Sequence, residues 1–152
     1  MRRWAWLCVL FFAACGSNGG GSGGAGGSGG SGGTGGTGMC AAAFAGCSSY
    51  MDLTADAANR DIAFTFSMYT PNCIKVKVGQ TVTFSGTFAA HPLAQSCGPD
   101  AVLFNTAGMS KSFTFATAGD YGYYCTFHGN QLGQGMAGSI QVVAPPDGGG
   151  TP

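Results

Sequence analysis

Cys125-Thr126-Phe127-His128 sets a thiol and an imidazole three residues apart, and Met136 adds a thioether after the Gly-rich connection 129–135. Soft sulfur donors beside imidazole select copper among the common metals, and two histidines, one cysteine and a weak methionine describe an electron-transfer copper centre. Such a set needs one more histidine, and the chain has 2 in all. The other is His91, so the expected metal ligands are His91, Cys125, His128 and Met136, with one copper ion as cofactor. Gln131 and Gln134 are rivals for the weak position, because a Gln oxygen also serves as an axial donor. No spare acid or base stands beside these donors in the sequence, so the expectation is an electron carrier and not an enzyme. A lone Cys-x-x-His is a weak signal, and a lone histidine on an apolar segment is usually a packed residue. Here both histidines fall where the donor set requires them.

The cysteine count agrees. Of 7 cysteines, Cys8 and Cys15 belong to the N-terminal leader, which leaves Cys40, Cys47, Cys73, Cys97 and Cys125. An odd number in an exported domain leaves one thiol unpaired, and Cys125 is the one with a histidine three residues on. The other four allow three pairings. Proximity favours Cys40 with Cys47, and elimination then joins Cys73 to Cys97.

The elements that must position these residues are strands. Short runs with period-two alternation are Ile62–Phe66, Cys73–Val78, Thr81–Phe84, Ala101–Phe104, Ser112–Phe115, Tyr121–Cys125 and Ser139–Val143, separated by turn residues such as Gly79-Gln80 and Ala118-Gly119-Asp120. Seven such runs in a stretch this short predict an antiparallel β-sandwich. The one stretch with helical potential is Asp52–Arg60. Met39, Met51, Met68 and Met109 read as core or loop filler, and Tyr123, Tyr124 and Phe127 as packing. The Gly-rich connection is no phosphate cradle, because no Gly-Lys-Ser/Thr follows it.

Export is legible at the N-terminus. Arg2 and Arg3, the apolar run Leu7–Phe12 and then Ala13-Ala14 make a signal peptide over residues 1–14, too short to span a bilayer. Phe12-Ala13-Ala14-Cys15-Gly16 resembles a bacterial lipobox, which implies lipid on Cys15 and a membrane anchor; the alternative is plain cleavage at a nearby small residue. Residues 16–38 hold 15 glycines, so residues 15–38 form a flexible linker with a reach of roughly 25 Å. An N-terminal extension at 39–59, a main domain at 60–144 and a loose tail at 145–152 complete the organisation. The chain carries 6 basic and 6 acidic residues with no basic cluster, which excludes a nucleic-acid partner.

The run from Gly119 to His128, the run Gly135-Met136-Ala137-Gly138-Ser139-Ile140, and Val78-Gly79-Gln80-Thr81-Val82-Thr83-Phe84 ahead of His91 together resemble the cupredoxins, the plastocyanin and azurin family of blue copper proteins. The resemblance spans about Ile62 to Val143. It implies an all-β, Greek-key β-sandwich of seven or eight strands, type 1 copper on His91, Cys125, His128 and Met136, and a Tyr121 hydroxyl that ties down a loop. Two features depart from the familiar members: seven residues separate His128 from Met136, and Pro92 follows His91 where Asn is usual. The expected function is single-electron transfer between exported redox partners, by a monomer held at the periplasmic side of a bacterial membrane or at the cell surface. The alternatives are a periplasmic copper carrier or store without electron transfer, and an adhesive sandwich.

Overall fold

The computed structural model describes residues 38–145. The signal peptide, Cys8, Cys15, the linker up to Thr37 and the tail from Pro146 lie outside the described residues. Within them the chain forms ten strands: β1 Met51–Asp52, β2 Asp61–Thr65, β3 Met68–Thr70, β4 Cys73–Lys77, β5 Thr81–Ser85, β6 Leu93–Cys97, β7 Phe104–Asn105, β8 Ser110–Thr114, β9 Gly119–Gly129 and β10 Gly135–Val143.

Alternation builds both faces of the sandwich. Ile62 and Phe64 on β2, Ile74 and Val76 on β4, Val82 and Phe84 on β5, and Tyr121, Tyr123 and Cys125 on β9 all point inward and are buried. One sheet runs β1-β4-β10-β9-β6-β7 and the other β3-β2-β5-β8, so the chain repeatedly crosses between sheets, as a Greek-key sandwich requires. The interior is aromatic: Phe64, Tyr69, Phe84, Phe88 and Tyr123 meet edge to face at centroid distances from 4.9 to 6.0 Å, the arrangement that ring quadrupoles favour. Gly79 turns β4 into β5 at φ +82, a conformation open to glycine without steric cost.

The secondary structure departs from the sequence expectations in four places. The sandwich is mixed, since β1 with β4, β4 with β10 and β2 with β5 are parallel. The count of ten exceeds seven or eight because β1, β3 and β7 are fragments of two or three residues and because β6 carries no β-branched residue to announce it. Ala101–Leu103 is not a strand. The buried Gln95 side chain on β6 accepts the Val102 and Leu103 amides at 2.9 and 3.0 Å, replacing a ladder. Asp52–Arg60 is not a helix either. Asp52 pairs with Lys75 at 2.8 Å and accepts the Thr54 amide at 3.0 Å, an Asx turn that competes with helical bonding, while Arg60 donates to Leu53 O at 3.0 Å.

The disulfides are Cys40–Cys97 and Cys47–Cys73, not Cys40–Cys47 and Cys73–Cys97. Cys73 opens β4 and Cys97 ends β6, and β10 and β9 lie between them. Three strand spacings of about 4.8 Å place them roughly 14 Å apart, whereas a disulfide needs Cα atoms within about 7 Å. The extension instead crosses that sheet and is stapled at each side, with the tight turn Phe44–Gly46 between the staples.

Candidate metal centre

β9 and β10 are antiparallel, with Ala137 opposite Tyr124 but Gly135 opposite Gly129. The ladder therefore slips between those pairs, and the four residues Cys125–His128 oppose Met136 alone. This bulge returns His128 over its own strand, so that His128 Nδ1 lies 3.5 Å from Cys125 Sγ. His91 comes from the connection between β5 and β6, where its amide is held by Thr87 O at 3.1 Å. Its Nδ1 stands 3.1 Å from His128 Nδ1 and 3.9 Å from Cys125 Sγ.

Three donors therefore converge at one end of the sandwich, and among the described residues this is the one group of three or more His, Cys, Asp or Glu able to hold a metal ion. Three donors at 120° in a plane around a single ion stand roughly 3.5 Å apart for two nitrogens and roughly 3.7 Å apart for a nitrogen and a sulfur, given bonds of ~2.0 Å to nitrogen and ~2.3 Å to sulfur with zinc as the yardstick. The observed triangle brackets those distances, so the residues fit a metal, and one thiolate with two imidazoles fits copper. Among the described residues Cys125 is the one free cysteine, and it is fully buried. His91 is half-buried and His128 exposed. Burial first, and then the neighbouring charge of His128, lower the His91 pKa, which favours the neutral imidazole that a metal needs.

Met136 is 1% exposed and belongs to the same buried cluster as Cys125. Gln131 and Gln134 are exposed, and Gln134 Oε1 accepts the Asn130 side-chain amide at 2.9 Å. Burial thus favours Met136 as the weak donor. Phe127, read from the sequence as packing, is 67% exposed beside His128. Tyr123 is buried and Tyr124 half-buried, whereas Met39, Met51, Met68 and Met109 all lie on the surface and none is in the core.

The surrounding bonds fix the donors. Pro92 O accepts the Thr126 amide at 2.9 Å and Leu93 pairs with Cys125 across the ladder, so the residue after His91 braces the cysteine strand through its backbone and needs no amide side chain. Tyr121 Oη donates to Thr117 O at 2.9 Å and ties down that loop as expected. Sequence reasoning missed Tyr69 on β3, which is buried with its hydroxyl unpartnered among the described residues. Burial, and secondarily the nearby Cys125, hold its phenol well above the ordinary value. No spacing rule announces it, because β3 is three residues long and carries no motif.

Residues 58–143 match the family described as copper binding proteins, plastocyanin/azurin family. The chain is similar to a plastocyanin from Scenedesmus fuscus, 31% identical over 87 residues, which covers 49% of this chain and 86% of that protein. Among solved structures it is similar to amicyanin from Paracoccus versutus, at 24% identity and TM-score 0.45, covering 66% of this chain and 89% of that one. It is also similar to a copper-containing nitrite reductase from Thermus scotoductus, at 22% identity and TM-score 0.44, covering 57% of this chain and 22% of that one. The matched stretch contains all four candidate donors, and the chain belongs to the plastocyanin/azurin family of copper binding proteins.

Proposed function

We propose that the protein is a type 1 copper protein that carries single electrons between exported redox partners, with His91, Cys125 and His128 as strong ligands and Met136 as the weak axial ligand. The observation that carries this reading is the donor triangle of 3.1, 3.5 and 3.9 Å around one point, with a buried thiol at one corner and an exposed imidazole at another. Copper bound there supplies a one-electron couple. Cys125 keeps its sulfur away from water, and the ladder around it holds the donors nearly fixed, which limits rearrangement when charge changes. His128 gives a partner its approach, and the exposed Phe127 at 67% and Leu132 at 75% give that partner apolar contact area.

The signal-like leader, Cys15 and the glycine tract support an exported domain tethered to a membrane by lipid. The reading extends to a monomer with one copper per chain, facing the periplasm or the cell exterior. Its partners are other exported redox proteins, and nucleic acid is not among them.

The test is the visible spectrum and voltammetry of the copper-loaded full chain. An intense thiolate-to-copper charge-transfer band and a reversible couple are expected, and Cys125→Ser should abolish the band. A wild-type chain that stays colourless and binds no stoichiometric copper would sink the reading. Blue colour without a reversible couple, and ready loss of copper to chelators, would point to a copper carrier or store. Fractionation of cells carrying the wild type and Cys15→Ser reads the anchor: a wild type already free of the membrane overturns it.

A further inference from the structure

The extension before β1 lies outside the stretch that matches the family, which begins at residue 58, yet it packs on the metal-ligand strands. Cys40 is bonded to Cys97 on β6 and Cys47 to Cys73 on β4, so the segment between is stapled across the sheet that holds β9 and β10. Phe44 is 6% exposed and clusters with Cys97, Ala137 and the half-buried Tyr124. Tyr124 directly precedes Cys125, and Ala137 directly follows Met136. Tyr50 Oη adds a bond to Ser139 Oγ on β10 at 3.3 Å.

The connection between His128 and Met136 rests on the same turn. Gly133 sits in its middle at φ +79, and a Cβ there would lie 2.6 Å from Ala45 N and 3.2 Å from the Phe44 ring. The connection is closed on itself by Asn130, whose Oδ1 accepts the Leu132 and Gln134 amides at 2.9 and 3.2 Å and whose backbone O accepts the Gly133 amide at 3.0 Å. On its other side Ser96 Oγ donates to Gln131 O. It is thus a compact unit seated between β6 and the extension. Ala43 and Ala45 both adopt φ +54, a left-handed conformation that alanine avoids unless surrounding contacts hold it. Two disulfides and the seat of Phe44 supply those contacts.

We propose that Met39–Tyr50 is a disulfide-stapled clamp on the metal-ligand connection, in which Phe44 and Ala45 are positioning residues that fix where His128 and Met136 stand. The clamp sets how fast copper leaves and at what potential the site works. This inference rests on the copper reading above. It accounts together for an extension outside the family match and a connection longer than in familiar members: the longer connection has its own seat.

The test uses the full chain with Phe44→Ala, the conservative Phe44→Leu, and Gly133→Ala, which presses the same contact from the other side. Three quantities are read: the rate of copper transfer to a chelator, the reduction potential, and amide hydrogen exchange at Gly133 and Gln134 in the metal-free chain. Phe44→Ala should speed copper release roughly two- to thirtyfold, the range for coupling through contiguous packing, shift the potential, and speed exchange at both amides. Phe44→Leu should restore most of each. A Phe44→Ala chain with a lower melting temperature but unchanged release rate, potential and exchange overturns the clamp and leaves a mere staple. If Phe44→Ala fails to fold, Gly133→Ala and Phe44→Leu decide by the same three readouts. If the wild type binds no copper the copper reading fails instead, and amide exchange alone judges the clamp, unchanged exchange refuting it.

Discussion

Removing one oxygen from Tyr121 tests whether the cysteine strand is held as the structure indicates. Tyr121 lies four residues before Cys125 on β9, its side chain is fully buried, and its hydroxyl is shared between Thr117 O at 2.9 Å and Asp100 Oδ2 at 3.2 Å. Tyr121→Phe keeps the ring and its packing on Phe115, at a centroid distance of 4.8 Å. What is lost is one hydrogen bond, and what remains is a carbonyl with one partner fewer. Such a loss costs about 1–3 kcal/mol, or roughly 4–20 °C of melting temperature for a domain of this size. The assay is urea unfolding of the metal-free chain, in which the midpoint should fall while the slope stays constant. Burial first, and then Asp100, push the Tyr121 pKa up to about 12, against ~10 in an unfolded chain. The folded protein then keeps a proton that the unfolded one has released, so stability declines as pH rises from ~10 towards ~12. Tyr121→Phe lacks that portion of the decline, and the stabilities of the two proteins should converge across the window. A loss below about 0.5 kcal/mol near neutral pH, within the ordinary scatter of surface changes, or a gap that stays constant into alkali, would refute the reasoning.

Two further predictions concern the site. Titration of the metal-free, unreduced chain after denaturation should find Cys125 as the one reactive thiol among residues 38–145, and mapping by digestion should return Cys40 with Cys97 and Cys47 with Cys73; a Cys40–Cys47 fragment would contradict the observed crossing of the sheet. Met136→Leu conserves volume and should cost less than about 1.5 kcal/mol of stability while keeping the blue band and raising the potential, and Met136→Gln should lower the potential, read by voltammetry, unless the axial role belongs to Gln131 or Gln134.

The parts of this molecule legible in the sequence are those whose physics is local. Ile62–Phe66, Cys73–Val78 and Thr81–Phe84 alternate strictly, and each became a strand within a residue or so of its expected ends. The donor types likewise carry their chemistry in themselves, which is why His91, Cys125 and His128 could be named before their convergence was seen. β6 was silent because Leu93-Ala94-Gln95-Ser96-Cys97 turns a polar residue inward, and Gln95 is tolerated there because it is bonded to Asp100 O, Val102 N and Leu103 N. Asp52–Arg60 is not a helix because the Asp52 side chain accepts the Thr54 amide in a turn, with Lys75 holding it. The disulfides could not be read from spacing, since the sheet order that separates Cys73 from Cys97 is a property of the whole topology.

The length of the connection after His128 is the feature that most invited a different axial ligand, and the structure gives a reason why it need not. Lengthening a flexible closed loop by a few residues changes its closure cost by well under 1 kcal/mol, so extra residues do not by themselves pull Met136 out of place. The chain goes further and removes the flexibility. Asn130 gathers the Leu132, Gly133 and Gln134 amides, two on its side-chain Oδ1 and one on its backbone O, which turns the added length into a knot of hydrogen bonds. Gly135 then regains the ladder opposite Gly129, and Met136, the residue left facing Cys125–His128, is turned into the core. The side chains that could compete, Gln131 and Gln134, stand on the knot and face water. Position along the ladder, set by the slip between Gly135 and Ala137, therefore puts Met136 in the buried cluster with Cys125, and the number of residues in the loop does not.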